Sequence, residues 1–268
     1  MNSGTTTGFA DVNDTRLYYE IKGEGSPLVL IHSGGFDRRI WDDQFDAFSR
    51  DFKVIRYDVR GHGKSLTPTK PYSDDEDLYH LLKFLKVPKA HLVGLSLGGR
   101  TVIDFALTHP EMVDSLIPVA PGLSGYPFSP EDTLEFLKVV WSIQNDDGTP
   151  SGEAWLQNAL NIPAMENPTV ARRLRPIAID NSRFWLVNPL FSRFPFPPAV
   201  QRLAEIRVPA LLIIGDRDIS TIQAIVQTLE KGIPGAKKVV IPGAGHVVPM
   251  EKPEEFNRIL SDFLVKQQ

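Results

Sequence analysis

A chain of 268 residues, 42% hydrophobic and 23% charged, has the material for one full core and the composition of an ordinary globular protein. Its formal charge of −4 supplies no basic footprint for nucleic acid, so the expected partner is a small molecule. With no cysteine, disulfides, thiolate metal sites, Fe–S clusters and a cysteine nucleophile are excluded.

The opening residues show no basic stretch followed by an apolar one, so no signal peptide is expected. No apolar run approaches the roughly 20 residues that span a bilayer. A cytoplasmic protein with no membrane partner is the default expectation; oligomeric state is not legible.

Residues 16–21 alternate like an edge strand and are expected to pair antiparallel. Residues 27–31 form a short apolar run, followed by Trp41, Phe45 and Phe48 at helical spacing. A second run covers 52–57, and Leu78, Leu81, Leu82 and Leu85 mark one face of a helix. Residues 90–94 precede a glycine-containing turn and a helical stretch at 100–109, and 115–119 form another strand candidate. Strands alternating with helices imply crossover units and a mostly parallel sheet. Beyond Gly122 the rhythm stops. Residues 122–201 hold many of the prolines, three of the four tryptophans and a helical stretch at 131–143, with no parallel-strand run. The rhythm returns at 209–215 and 237–241 and ends in an amphipathic helix at 254–263. The expected organisation is an α/β core in two parts, 1–121 and 202–268, interrupted by a helical cap at 122–201.

The most informative stretch is 91–100 (HLVGLSLGGR), which contains G-x-S-x-G at Gly94, Ser96 and Gly98. A serine hydroxyl becomes a useful nucleophile only beside a base. A sharp strand-to-helix turn lifts it above the sheet, and the crowding of that turn requires small residues two positions either side. The helix that starts after Ser96 also aims free N–H groups at a developing oxyanion. An earlier loop, 32–36 (HSGGF), leaves a strand end and can present a second N–H. The backbone N–H groups of Gly34 and Leu97 are the candidate oxyanion hole.

A carboxylate is expected between nucleophile and base in chain order. Residues 215–218 (GDRD) offer two: Asp218, further from the strand end, can orient a histidine, while Asp216 is placed to brace the turn. The base is assigned to His246 in 242–248 (PGAGHVV), where glycines allow the ring to reach Ser96 and a pKa near 6.5 suits proton exchange. His32 is expected to support the oxyanion loop and His62 to be a structural turn residue. A P-loop reading of 63–65 (GKS) fails, because Asp58 stands where its first glycine is required.

Together with 57–65 (YDVRGHGKS), 243–246 (GAGH) and 250–256 (MEKPEEF), these motifs resemble the α/β-hydrolase superfamily of capped serine esterases and lactonases. The resemblance implies an eight-stranded, mostly parallel sheet flanked by helices, with a helical cap between strands six and seven. With Ser96, Asp218 and His246 as triad, the expected activity is hydrolysis of small, largely apolar esters or lactones, with no metal or cofactor needed. Two positions depart from the family pattern. Ser33 stands where a glycine is usual, and 219–221 (IST) lack the proline that often follows the acid. Serine at position 96, rather than aspartate, argues against relatives that form an alkyl-enzyme ester. Phe36, Trp141, Trp155, Trp185 and Val247 are candidate pocket residues, although the cap aromatics also have a core of their own to build. Arg172, Arg173, Arg175 and Arg183 are read as a solvated helix face or, alternatively, as partners for a substrate carboxylate. Two other functions fit the same residues: carbon–carbon bond hydrolysis of a vinylogous diketone, and slow-turnover ligand reception.

Overall fold

The structure, a computed structural model, describes residues 4–145 and 151–267. Strands β1 (Thr6–Val12) and β2 (Thr15–Lys22) open the chain as a hairpin. Its two-residue turn places Asn13 and Asp14 at φ 45° and 56°, the left-handed pair that matches the strands' twist. There follow β3 (Pro27–Ile31), α1 (Asp42–Phe48), β4 (Lys53–Tyr57), β5 (Tyr72–Ser73) and α2 (Asp74–Phe84). Next come β6 (Ala90–Leu95), α3 (Leu97–Thr108) and β7 (Val113–Val119). Helices α4 (Pro130–Asn145), α5 (Ser151–Leu156), α6 (Ile162–Glu166), α7 (Pro168–Asp180) and α8 (Phe184–Phe191) then lead to β8 (Ser192–Arg193). The chain closes with β9 (Leu211–Gly215), α9 (Ser220–Gly232), β10 (Lys237–Ile241), α10 (Val248–Glu251) and α11 (Pro253–Leu264).

Eight strands form one sheet in the order β1-β2-β4-β3-β6-β7-β9-β10. The β1–β2 and β2–β4 pairs are antiparallel, as the alternation at 16–21 led one to expect, and the others are parallel. All six residues of β6 are buried, because helices cover both faces of a parallel sheet and leave no side for water. Helices α4 to α8 lie between the sixth and seventh strands of the sheet. One expectation needs correction: residues 122–201 do contain a strand. β8 pairs parallel with β5 in a second, two-stranded sheet, and two residues carry no periodicity from which to read it.

The helices of the insertion are ordinary amphipaths. In α7, Asn167 caps the N-terminus by accepting from Thr169 N–H at 3.0 Å, while Val170, Leu174, Ile177 and Ala178 form its buried stripe. These residues and Trp155 belong to the same apolar cluster as the sheet. Two buried asparagines fasten the insertion over the strand ends. Asn181 donates to Asp37 at 2.8 Å and accepts from Gly63 N–H at 2.7 Å; Asn188 donates to Arg60 O at 2.7 Å. The cavity between insertion and strand ends is therefore roofed by side chains locked to the floor. Among the described residues, no helix is long and apolar enough to cross a membrane.

Candidate active site

Ser96 occupies the corner between β6 and α3 with φ 56° and ψ −107°, a conformation that costs a non-glycine residue about 1–3 kcal/mol. Its backbone is held from both sides. Ser96 N–H donates to Val119 O at 2.9 Å, and Ser96 O accepts from Arg100 at 2.9 Å and Gly122 at 3.0 Å. The flanking glycines are required by contact. A Cβ on Gly94 would meet Gly98 O at 2.1 Å, and one on Gly98 would meet Ile31 O at 2.3 Å.

The second contact shows why the corner lies beside the loop at 32–36. In that loop the left-handed residue is Gly35, at φ 74°, whereas Ser33 stays out of that region, so the departure from glycine at 33 brings no backbone strain. Two buried imidazoles set the loop's shape. His32 Nε2 accepts from Val59 N–H at 2.8 Å, which leaves its Nδ1–H to donate to Ser33 O at 2.8 Å. His62 Nε2 accepts from Gly35 N–H at 3.2 Å, and its Nδ1–H donates to Arg60 O at 3.2 Å. Burial lowers the pKa of both rings, and with the adjacent His32 it pushes His62 down to about 3, so the neutral acceptor form persists. His62, expected only to shape its own turn, thus reaches the loop at 32–36, 27 residues away. Gly34 lies against Leu97, whose Cδ1 is 3.5 Å from where a glycine Cβ would sit.

The loops after β9 and β10 interlock at backbone distance, since a Cβ on Gly215 would meet Ala244 O at 2.1 Å. His246, fully buried, donates from Nδ1–H to Asp218 Oδ2 at 2.8 Å. The other Asp218 oxygen accepts from Ile219 N–H at 2.8 Å. With Nδ1 carrying the proton, Nε2 holds a lone pair; it is buried and bonded to no protein atom. Asp216 faces elsewhere and accepts from Gly243 N–H at 2.7 Å. Glu251 brackets the histidine, accepting from Gly245 N–H at 2.8 Å and Val247 N–H at 2.9 Å, and burial raises its pKa. The run at 250–256 held this residue in view, but only the fold turns its carboxylate back over four and six residues, to Val247 and Gly245.

A cavity of about 380 Å³ opens above Ser96. Gly34 and Leu97 line it with Ser96, and of the five candidate pocket residues Trp155 and Trp185 do as well. The other three are corrected. Trp141 is 62% exposed on α4 and outside the cavity wall, because the helix turns its opposite side inward. Phe36 and Val247 are wholly buried behind their loops and belong to the core. The insertion's arginines likewise stay outside. Arg173 pairs with Asp43 at 2.8 Å, and Arg175 pairs with Glu153. The arginine on the wall is Arg100, one turn into α3 from Ser96, tied to Asp74 at 2.5 Å and stacked 4.5 Å from the Phe194 ring. Its spacing of four from Ser96 was a signal for a shared helix face.

A strained serine corner, a glycine loop beside it and a carboxylate–imidazole pair, all at the strand ends of this sheet, define a hydrolase of the α/β-hydrolase fold. The chain belongs to the alpha/beta hydrolase family, whose model matches residues 28–259. It is 31% identical over 264 residues to a putative 2-succinyl-6-hydroxy-2,4-cyclohexadiene-1-carboxylate synthase of Bacillus subtilis (strain 168), covering 92% of this chain and 94% of that one. It is 32% identical over 268 residues to a 2-hydroxy-6-oxononadienedioate/2-hydroxy-6-oxononatrienedioate hydrolase of Paraburkholderia phymatum, covering 94% and 91%. Among solved structures, the enol-lactonase from Burkholderia xenovorans LB400 superposes with a TM-score of 0.82 at 29% identity, over 96% of this chain and all of that one.

Proposed function

We propose that this protein is a serine hydrolase that cleaves small, largely apolar carboxylic esters or lactones through an acyl-enzyme. The observation that carries the reading is the His246–Asp218 hydrogen bond of 2.8 Å, which fixes the tautomer with an unpartnered Nε2. In the proposed reaction Nε2 takes the Ser96 proton as Oγ attacks the carbonyl carbon. The N–H groups of Gly34 and Leu97 hold the oxyanion, a contribution of roughly 3–4 kcal/mol per donor. Asp218 stabilises the imidazolium, which then protonates the departing alkoxide. Water, deprotonated by the same histidine, releases the acid and restores Ser96. No step requires a metal or an organic cofactor.

Turnover of a p-nitrophenyl ester series from acetate to octanoate, with Ser96→Ala beside the wild type, tests this. The reading requires a fall in kcat of at least about 10⁴-fold in the variant. Equal rates in both proteins would remove Ser96 from the reaction.

The relative named as a 2-hydroxy-6-oxononadienedioate hydrolase supports a second reading, carbon–carbon bond hydrolysis by the same three residues. A kcat/KM on such a dienoate well above that on any ester would favour it.

A further inference from the structure

A chain of aromatic rings runs along the cavity wall, outward from the loop at 32–36. It starts at Phe184, whose Cζ would lie 3.1 Å from a Cβ on Gly34. Phe184 meets the edge of Trp185 at a centroid distance of 4.8 Å, and Trp185 lies tilted against Phe136 at 6.0 Å. Phe136 in turn stacks on Trp155 at 6.1 Å and meets Phe128 at right angles at 5.2 Å. All five rings line the cavity that holds Ser96. They do not only pack on one another. Phe136 and Trp185 are half-buried, and α4 turns Leu134, Leu137 and Trp141 to its outer side, so the open part of the Phe136 ring faces the cavity.

We infer that this wall is a subsite for a planar aryl ring, and that the substrates are short esters or lactones carrying an aromatic group on one side of the scissile bond. The inference rests on the serine-hydrolase reading and adds the substrate class to it. Saturated side chains would make an apolar wall as well by buried area. Rings add faces and edges of opposite charge, and a well-placed aromatic partner gains about two- to tenfold from them beyond its area. The ring chain begins against Gly34, so the aryl group sits close to the reacting carbonyl and not at the end of a long chain. A cavity of about 380 Å³, at the small end for ligand pockets, suits one ring and a short arm. A trimethylammonium group is the other occupant that aromatic walls attract. Here it would meet a like charge at Arg100, and among the described residues no acid lines the cavity to answer it.

The test uses two ester pairs by pH-stat: benzyl acetate beside cyclohexylmethyl acetate, and methyl phenylacetate beside methyl cyclohexylacetate. Within a pair the reacting ester is the same and only the ring differs. Cyclohexyl buries more apolar area, so area alone predicts an aryl-to-cyclohexyl ratio of kcat/KM at or below one. The wild type is expected to show a ratio of at least about three in one of the pairs, and the pair that shows it places the ring on the alcohol or the acyl side. Phe136→Leu, which keeps the site apolar, should bring that ratio towards one, and Trp185→Leu should do the same. Ratios at or below one in both pairs overturn the inference, whether or not the variants fold. So does a ratio that neither variant changes. A preference for acetylcholine over its neutral isostere 3,3-dimethylbutyl acetate that exceeds the aryl preference assigns the wall to a cation, and also overturns it. If the wild type turns over none of these esters, the ester-hydrolase reading fails, and the subsite is judged separately by NMR titration of Ser96→Ala. Benzyl acetate binding at least about threefold tighter than cyclohexylmethyl acetate would uphold the subsite; equal or weaker binding would overturn it.

Discussion

The cavity has a floor and a roof, and they are made differently. The floor consists of loops at the strand ends, where backbone answers backbone: Ser96 is held by Val119, Arg100 and Gly122, and the loop at 32–36 by two neutral imidazoles. The roof is the helical insertion, which presents side chains. Trp155, Phe184 and Trp185 face the floor, and the two indole donors among them stand unmet. Under the proposed function, a floor built from backbone fixes where a carbonyl reacts, and a roof built from side chains decides what is attached to it. Tolerance to substitution should divide along the same line.

The sharpest way to break that comparison is Gly98→Ala. Its Cβ would sit 2.3 Å from Ile31 O and 2.9 Å from His32 O, backbone atoms of a central strand and the loop that follows it. A single methyl should either prevent folding or cost on the order of 10³ in kcat/KM, in keeping with the penalty for a displaced oxyanion donor. An active, stable variant would mean that the floor is not rigid.

Glu251→Gln comes next. The carboxylate accepts with a different oxygen from Gly245 and from Val247, and glutamine would set an NH2 donor against one of those two N–H groups, so the loop carrying His246 should loosen. Stability should fall by about 1–3 kcal/mol, with kcat falling more than KM changes. The carboxyl pKa is raised by burial, so in the wild type protonation of Glu251 should begin to lower kcat at a pH above the ordinary carboxylate range. A pH–rate profile of wild type and variant reports whether that acid limb disappears.

Asp104 sharpens the comparison through stability alone. Buried against Ser124, its carboxyl is pushed up to about 7 by desolvation. The native state therefore keeps a proton that the unfolded chain releases near pH 4, so stability declines as pH rises between those values. Asp104→Asn should add on the order of 3 kcal/mol at pH 8 and little at pH 4, read from denaturant melts at both.

The smallest effect belongs to Trp141→Ala, on the outer side of the insertion. With Trp141 62% exposed and outside the cavity wall, the expected change in stability is within about 0.5 kcal/mol, with an unchanged ester profile.

The same division explains what could be read from the sequence. Strand ends and tight corners impose residue types, and Gly94 and Gly98 are visible because a Cβ there is excluded by contact. The sheet was legible because a strand with both faces covered must be apolar throughout, as β6 is. The roof imposes no such types. Trp141, Trp155 and Trp185 look alike in sequence, and only helix rotation separates the exposed ring from the two that face Gly35. Phe36 and Val247 were misplaced for a related reason: nearness in sequence to a reacting group does not say whether a side chain points up into the cavity or down into the core. His62 reaches the loop at 32–36 across 27 residues, a contact that chain order hides.

The claim on which everything else depends is that Ser96 is the nucleophile and His246 its base. Treating the protein with a small fluorophosphonate and mapping the adduct by peptide mass spectrometry tests it directly. The account requires one adduct per chain, on the peptide containing Ser96, formed rapidly in the wild type and at a small fraction of that rate in His246→Ala. Labelling at another serine, or equal labelling of Ser96 without the histidine, would contradict it.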